Sequence, residues 1–235
     1  MFYTTFLSEI IPLIFCILFF KKLNTRALKV FFVYTCMLCV FSILAVVALK
    51  IFKDRQVYFF VARSYNIIEF TVISFFLYYV FRKTLVKKLV LFFILPFIIY
   101  AAADYLINDR THFNNHSNIV SALLLIAFLI YFFFEKMKTV VMYPLYQTIT
   151  FWICVAFFLY FTGAFFFILF ITSSTDIEFA RQMNTIYGVV TITKNILLCL
   201  SLLASESVDQ QISDELHIPT EVDLGEFSLT TLKNS

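Results

Sequence analysis

Three ionisable residues lie well within long apolar stretches of this sequence, Glu9, Glu69 and Lys194, and Arg63 lies about two turns into the stretch that contains Glu69. A charged side chain at the middle of a membrane helix costs about 2.5–3.5 kcal/mol on insertion scales, so it usually faces other helices and has a partner. Glu69 and Lys194 have opposite charges and lie near the middle of their stretches. We therefore predict that these two side chains approach each other, directly or through water.

Polar side chains recur around both residues at helical spacing. Residues three and four apart lie on one face of a helix. The face with Lys194 carries Asn184, Tyr187, Gly188, Thr191 and Asn195, and the face with Glu69 carries Tyr65 and Asn66. With Glu9 and Arg63, these residues predict a buried polar cluster near mid-membrane. The cluster has two interpretations: a structural pair that fixes helix register, or a site for a ligand, a proton or a conformational switch.

The composition indicates which elements must position this cluster. Of the 235 residues, 62% are hydrophobic and 14% are charged, whereas a soluble domain has roughly 45–50% apolar and about 25% charged residues. Such a chain cannot form a water-facing surface. A helix needs ~20 apolar residues to cross a bilayer. We predict an all-α bundle of seven transmembrane helices, at 2–20, 28–49, 57–81, 89–107, 118–134, 147–171 and 182–204.

The distribution of basic residues predicts the orientation of the bundle. The loops that follow the first, third and fifth segments hold ten Lys and Arg, against five on the other side. Cytoplasmic loops carry the excess of Lys and Arg. We expect an external N-terminus and a cytoplasmic C-terminus, in a multi-pass protein of the bacterial inner membrane.

The chain divides into the bundle, residues 1–204, and a short tail, residues 205–235. The tail carries seven acidic residues and one basic residue, Lys233. Beyond the lipid bilayer itself, we expect a membrane or cytoplasmic signalling partner to bind the inner loops and this acidic tail. A nucleic-acid partner is not expected.

Motifs for several enzyme classes are missing from the sequence. It contains no H-E-x-x-H, G-x-S-x-G or G-x-x-x-x-G-K-[ST], which are typical of metalloproteases, α/β-hydrolases and P-loop NTPases. No catalytic residue is assigned, and an enzymatic activity is not favoured.

Cys36 and Cys39 form a C-x-x-C inside an apolar segment, which favours packing. His112 and His116 have helical zinc spacing without a third ligand. We expect neither a metal nor a cofactor.

Several segments resemble a poorly characterised group of small bacterial seven-helix membrane proteins. They are YNIIEF at 65–70, FWICVAFFLYFTGAFFFILF at 151–170 and TKNILL at 193–198, together with an acidic residue in the first helix, Glu9. Members of that group often stand beside two-component sensor kinases or resemble their membrane-sensor halves. The resemblance covers most of residues 1–204 and implies a sensory or signalling role.

A second resemblance is to the rhodopsin-like group, which has a lysine in helix 7 and an acid in helix 3. It implies a retinal Schiff base at Lys194 with Glu69 as counterion. Val190 stands one turn before the lysine, where the common pattern has an acid.

Three functions therefore remain open. We favour a membrane sensor or partner-regulating signalling protein in which the polar cluster biases helix packing. The alternative is a small-solute or proton transporter that uses the same cluster, and the third is a retinal-binding photoreceptor.

Overall fold

The computed structural model describes residues 2–52, 55–107, 116–138, 148–173 and 177–203. The predicted acidic tail and His112 lie outside these residues. Over the described ranges the chain is helical and contains no strand. Seven α-helices follow in order: α1 (Phe2–Leu18), α2 (Arg26–Val47), α3 (Arg55–Val80), α4 (Thr84–Ile107), α5 (His116–Lys138), α6 (Ile149–Ser173) and α7 (Ile177–Leu203). The all-α prediction is confirmed.

Several helices extend beyond the apolar segments that predicted them. α4 includes Lys87 and Lys88, and α5 continues to Lys138. Polar residues at a membrane surface can stay helical because water and headgroups solvate their side chains, so hydropathy alone underestimates these helices. α2 begins with a defined cap, since the Thr25 hydroxyl accepts a hydrogen bond from the Leu28 N–H at 3.3 Å.

Six helices close into a ring. Around the ring the order of the helices is α1, α2, α3, α5, α6 and α7, and α7 packs against α1. α4 lies outside this ring against α3 and α5. Its outer face carries exposed apolar residues such as Phe92, Leu95 and Ile99. The interior of the ring is therefore bounded by every helix except α4.

The two ends of the ring differ in how they are filled. The packed end, where α3, α5 and α7 finish, is occupied by side chains that are at most 2% exposed: Leu28, Phe31, Phe81, Phe132, Ile153 and Leu202. The opposite end, where these three helices begin, contains a cavity and is called the cavity end below. The polar cluster lies between the two.

Six helices, α2 to α7, are long and apolar enough to cross a membrane, and the protein is a multi-pass membrane protein. α1 has 17 residues and is a shorter apolar helix. At 1.5 Å per residue it reaches about 25 Å, slightly less than the ~30 Å hydrocarbon layer. Leu7, Ile14 and Leu18 expose 48–71% of their surface on its outer side. A seventh span stays a prediction.

Candidate functional site

A tyrosine hydroxyl connects the two opposite charges predicted to approach each other. Lys194 on α7 donates from Nζ to the Tyr34 hydroxyl at 3.3 Å, and that hydroxyl donates to Glu69 Oε1 at 3.2 Å. Within the described chain, Lys194 and Glu69 make no direct ion pair. The structure thus brings the two residues together, but through Tyr34 of α2. We call Lys194, Tyr34 and Glu69 the relay.

Aromatic rings surround the buried lysine. Lys194 is 1% exposed, and its Nζ lies 4.3 Å from the Tyr160 ring centroid and 5.7 Å from that of Tyr34. The electron-rich face of an aromatic ring attracts a cation, and the attraction increases when water is excluded. Glu69 and Glu9 also attract the ammonium electrostatically. These contacts explain how α7 holds a charge in an apolar segment.

The two carboxylate oxygens of Glu69 differ in how many hydrogen bonds they accept. The Tyr65 hydroxyl, one turn away on α3, donates to Oε1 at 2.6 Å, and Tyr34 donates to the same oxygen. Among the described residues, no group donates to Oε2. The side chain is 5% exposed. One oxygen of a nearly buried carboxylate therefore remains available to another group.

A second set of contacts joins α1 to its neighbours. Asn195 donates from Nδ2 to the Ser8 hydroxyl at 2.9 Å, while its Oδ1 is buried and accepts no hydrogen bond within the described residues. The Ser42 hydroxyl of α2 donates to Glu9 Oε2, and the Cys39 thiol contacts the Glu9 carbonyl at 3.5 Å. Glu9 and Asn195 thus tie α1 to α2 and α7.

The C-x-x-C pair belongs to this packing layer. Cys39 is buried in the α1–α2 contact, and Cys36 is half-buried. All five cysteines are free thiols. In the ranges that the structure covers, no three His, Cys, Asp or Glu side chains are grouped closely enough to hold a metal ion, and His116 begins α5.

Three further predicted residues line the wall of the ring. The hydroxyls of Tyr187 and Tyr160 lie 3.1 Å apart, and Thr191 donates to the Tyr187 carbonyl at 2.9 Å. Asn66 accepts from the Ser121 hydroxyl of α5 at 2.9 Å. The Tyr187–Tyr160 contact connects α7 to α6 and the Asn66–Ser121 bond connects α3 to α5, whereas the Thr191 bond stays within α7. Each predicted polar face therefore lies towards a neighbouring helix.

A large cavity opens between these residues. It has a volume of about 1030 Å³ and is lined by α1, α2, α3, α5, α6 and α7. Glu9, Asn66, Glu69, Asn184, Gly188 and Thr191 line it together with nine aromatic residues, which include Tyr65, Tyr160 and Tyr187. Among the described residues that line it, none is a lysine, arginine or histidine. Lys194 lies behind this wall.

The cavity is confined to one end of the ring. Its lining residues come from the beginning of α1, α3, α5 and α7 and from the end of α2 and α6, and they reach the middle of these helices at Glu69, Tyr160 and Thr191. Beyond Glu69 and Tyr160, the packed end closes the interior. The relay therefore lies at the floor of a pocket that is open towards one side only.

Arg63 does not join the cluster. It lines a separate cavity of about 150 Å³ between α3, α4 and α5, and its guanidinium carbon lies 5.2 Å from the Tyr105 ring centroid. Six residues separate Arg63 from Glu69, which corresponds to about 240° around a helix of 3.6 residues per turn. The two side chains thus leave α3 on different faces, and depth in the membrane was an insufficient reason to group them.

Tyr34 and Tyr160 were not identified from the sequence. Both stand in stretches rich in phenylalanine, in FVYTC and FLYFT, where they resemble packing residues. A usable signal was present, because a tyrosine hydroxyl in the middle of a membrane span needs a hydrogen-bond partner. Tyr34 is 2% exposed and Tyr160 is 5% exposed, so these hydroxyls belong to the interior.

Comparisons with protein-family models, with curated proteins and with solved structures find no match for this chain. The resemblance to membrane-sensor proteins stays a prediction, and the function must be inferred from the site itself.

Proposed function

We propose that this protein is a membrane sensor that binds a small ligand in the cavity and passes the event to a partner at the packed end. One observation carries the proposal: the cavity ends at a relay that joins α2, α3 and α7. A pocket of this size falls at the upper end of the range of small-molecule sites. Because large side chains fill the packed end, the interior suits a one-sided binding site.

The relay offers a mechanism for the response. A ligand that binds the free oxygen of Glu69 draws negative charge away from the other oxygen, which Tyr34 and Tyr65 share, and so weakens their hydrogen bonds. Loss of the Tyr34 bond would leave the Lys194 ammonium with a weaker partner and favour a different packing of α2 against α7. A ligand shifts such an equilibrium only by its difference in affinity for the two packings. Direct contact with Glu69 provides that difference.

The packed end contains contacts that would respond to such a shift. Lys22, just after α1, donates to the Leu202 carbonyl at the end of α7 at 3.3 Å. Glu135 of α5 accepts backbone N–H groups of Arg82 and Lys83, between α3 and α4, at 3.4 and 3.2 Å. The described basic residues of the loops predicted to be cytoplasmic, such as Lys22, Arg82 and Lys138, lie at this end. They are the surface where we expect a signalling partner.

Transport of a solute or proton is the second candidate. A cavity with two carboxylates above a closed end also corresponds to one state of an alternating-access cycle, and membrane carboxylates commonly mark ion or proton pathways. The retinal alternative receives less support, since the Lys194 ammonium lies behind the cavity wall and binds Tyr34.

The test combines partner recovery with flux. The tagged full chain is purified from native membranes in mild detergent, and bound proteins are quantified by mass spectrometry for the wild type, Lys194→Met and the lipid-facing control Leu200→Met. A stoichiometric signalling protein whose recovery or activity changes only in Lys194→Met is expected. A solitary protein that moves protons or solute in liposomes would replace the sensor with the transporter.

A further inference from the structure

The charges of the described residues around the cavity do not balance. Two carboxylates, Glu9 and Glu69, line it, whereas one ammonium, Lys194, lies behind its wall. Since no basic side chain occurs among the described residues of the lining, one formal negative charge of these residues has no cation beside it in the cavity. An uncompensated charge away from bulk water is unfavourable, so a positively charged occupant would complete the site.

Each carboxylate also has an oxygen to which no described residue donates. Tyr34 and Tyr65 both bind Oε1 of Glu69, and Ser42 binds Oε2 of Glu9. Among the described residues, no donor reaches the remaining oxygen of either group. Only 5% of the surface of Glu69 is exposed, so the residue is 95% buried, and it lines the cavity. Hydrogen bonds from a cationic donor to a carboxylate are roughly twice as strong as neutral ones.

The rest of the lining selects the body of the occupant. Nine aromatic residues of the described chain face a volume of about 1030 Å³, which is far larger than a single metal ion needs. Aromatic faces attract organic ammonium groups, and their area favours an apolar or aromatic body. Polar groups at the wall, such as Asn66 and Thr191, leave room for a few hydrogen bonds.

We propose that the cavity binds an organic monocation, an ammonium group on an apolar or aromatic body, with the ammonium bound by Glu69 and Glu9. This ligand class rests on the proposed function, since it takes the cavity as the ligand site of the sensor. The cation would approach the free oxygen of Glu69 and thereby act on the relay. Neutral and anionic molecules of the same shape lack that attraction.

The experiment uses three probes of matched shape: 2-phenylethylammonium, 2-phenylethanol and 3-phenylpropionate. Binding to the full chain in nanodiscs of zwitterionic lipid is measured by calorimetry and by thermal stabilisation. We expect the cation to bind about 10- to 100-fold more tightly than the alcohol, the range that a charged hydrogen bond provides. The anion should bind most weakly.

Variants assign the binding to the cavity. Glu69→Gln and Glu9→Gln should each weaken binding of the cation about tenfold or more, while the affinity for the alcohol stays nearly unchanged. Both variants are checked for helicity and monodispersity. Glu9→Gln leaves the relay intact, so it keeps the test valid if Glu69→Gln misfolds. Glu178→Gln, on the exposed first turn of α7 outside the cavity lining, is the matched control and should change nothing.

Three results would overturn the ligand class: equal affinity for cation and alcohol, tighter binding of the anion, or no binding by any probe. Cation binding that neither Glu69→Gln nor Glu9→Gln weakens would also contradict it, as would a lipid found by native mass spectrometry to fill the cavity. None of these results affects recovery of a signalling partner. Failure of the ligand class can therefore be distinguished from failure of the sensor function.

Discussion

Removal of the Lys194 ammonium alone is expected to destabilise the bundle more than removal of both relay charges together. Taking one partner from a buried ion pair typically costs about 3–5 kcal/mol, because the other charge is left uncompensated. In this protein Glu69 keeps two tyrosine donors. Lys194→Met retains most of the lysine volume. We therefore expect it to lower the free energy of unfolding by about 3 kcal/mol, near the lower limit of this range.

The double-mutant cycle gives the size of the coupling. Glu69→Gln keeps an acceptor for the tyrosine hydroxyls and leaves Lys194 among aromatic rings, so it should cost about 2 kcal/mol. The Glu69→Gln/Lys194→Met double variant contains no buried charge at the relay and should also cost about 2 kcal/mol. The losses of the two single variants then sum to about 3 kcal/mol more than the loss of the double variant. This coupling energy is at the upper end of the range for residues in one network.

The hydroxyl of Tyr34 makes this prediction specific to the structure. In a Tyr34→Phe background the hydrogen-bonded path between the charges is missing, while their electrostatic attraction remains. The coupling between Glu69 and Lys194 should then fall to roughly half, about 1.5 kcal/mol. A direct ion pair would instead keep its full coupling when Tyr34 loses its hydroxyl.

The assay is equilibrium unfolding in mixed micelles of mild detergent and SDS, followed by circular dichroism and checked for reversibility. Leu200→Met, 47% exposed on the outer side of α7, is the matched control and should leave the free energy of unfolding nearly unchanged. Strictly additive effects of Glu69→Gln and Lys194→Met would refute the relay. An unchanged coupling in Tyr34→Phe would refute the part assigned to Tyr34.

Three further predictions concern contacts outside the relay and use the same unfolding assay. Gly163→Ala should cost about 1–3 kcal/mol by overpacking, because an added Cβ would lie 2.7 Å from the Val190 side chain, and Val190→Ala should restore most of the loss. Glu135→Ala should cost about 1–3 kcal/mol, since it removes a charged acceptor of two backbone N–H groups. Ser8→Ala should cost about 1–2 kcal/mol, because Asn195 then loses its acceptor.

Each of these predictions has an outcome that contradicts its reasoning. Gly163→Ala without effect would mean that α6 and α7 can separate locally. Glu135→Gln, which keeps the acceptor oxygen without its charge, should retain most of the stability that Glu135→Ala loses. Equal losses in Ser8→Ala and the Ser8→Ala/Asn195→Leu double variant would show that the orphaned amide is not the cause.

The sequence by itself determined the helices and their membrane environment. Hydrophobic segments bounded by basic and polar stretches have few alternatives, because backbone polar groups in a bilayer must bond within a helix. The same rule indicated that Glu69 and Lys194 face the interior, since a mid-membrane charge is unfavourable towards lipid. Helical spacing also predicted that Thr191 and Asn195 share a face with Lys194, and that Tyr65 and Asn66 share a face with Glu69.

Only the tertiary structure decided which faces meet and what separates them. Periodicity places Tyr34 and Tyr160 on helices but carries no information about contacts between residues 160 positions apart, such as Lys194 and Tyr34. Helical spacing separates Arg63 from Glu69 on α3, but only the packed helices show that Arg63 faces α4 and that Glu69 faces the ring. The cavity exists because the side chains of the six ring helices do not fill one end of the ring. Volume and inter-helix contact are properties of the packed bundle, and for that physical reason the sequence predicts the charges of the site but not its shape.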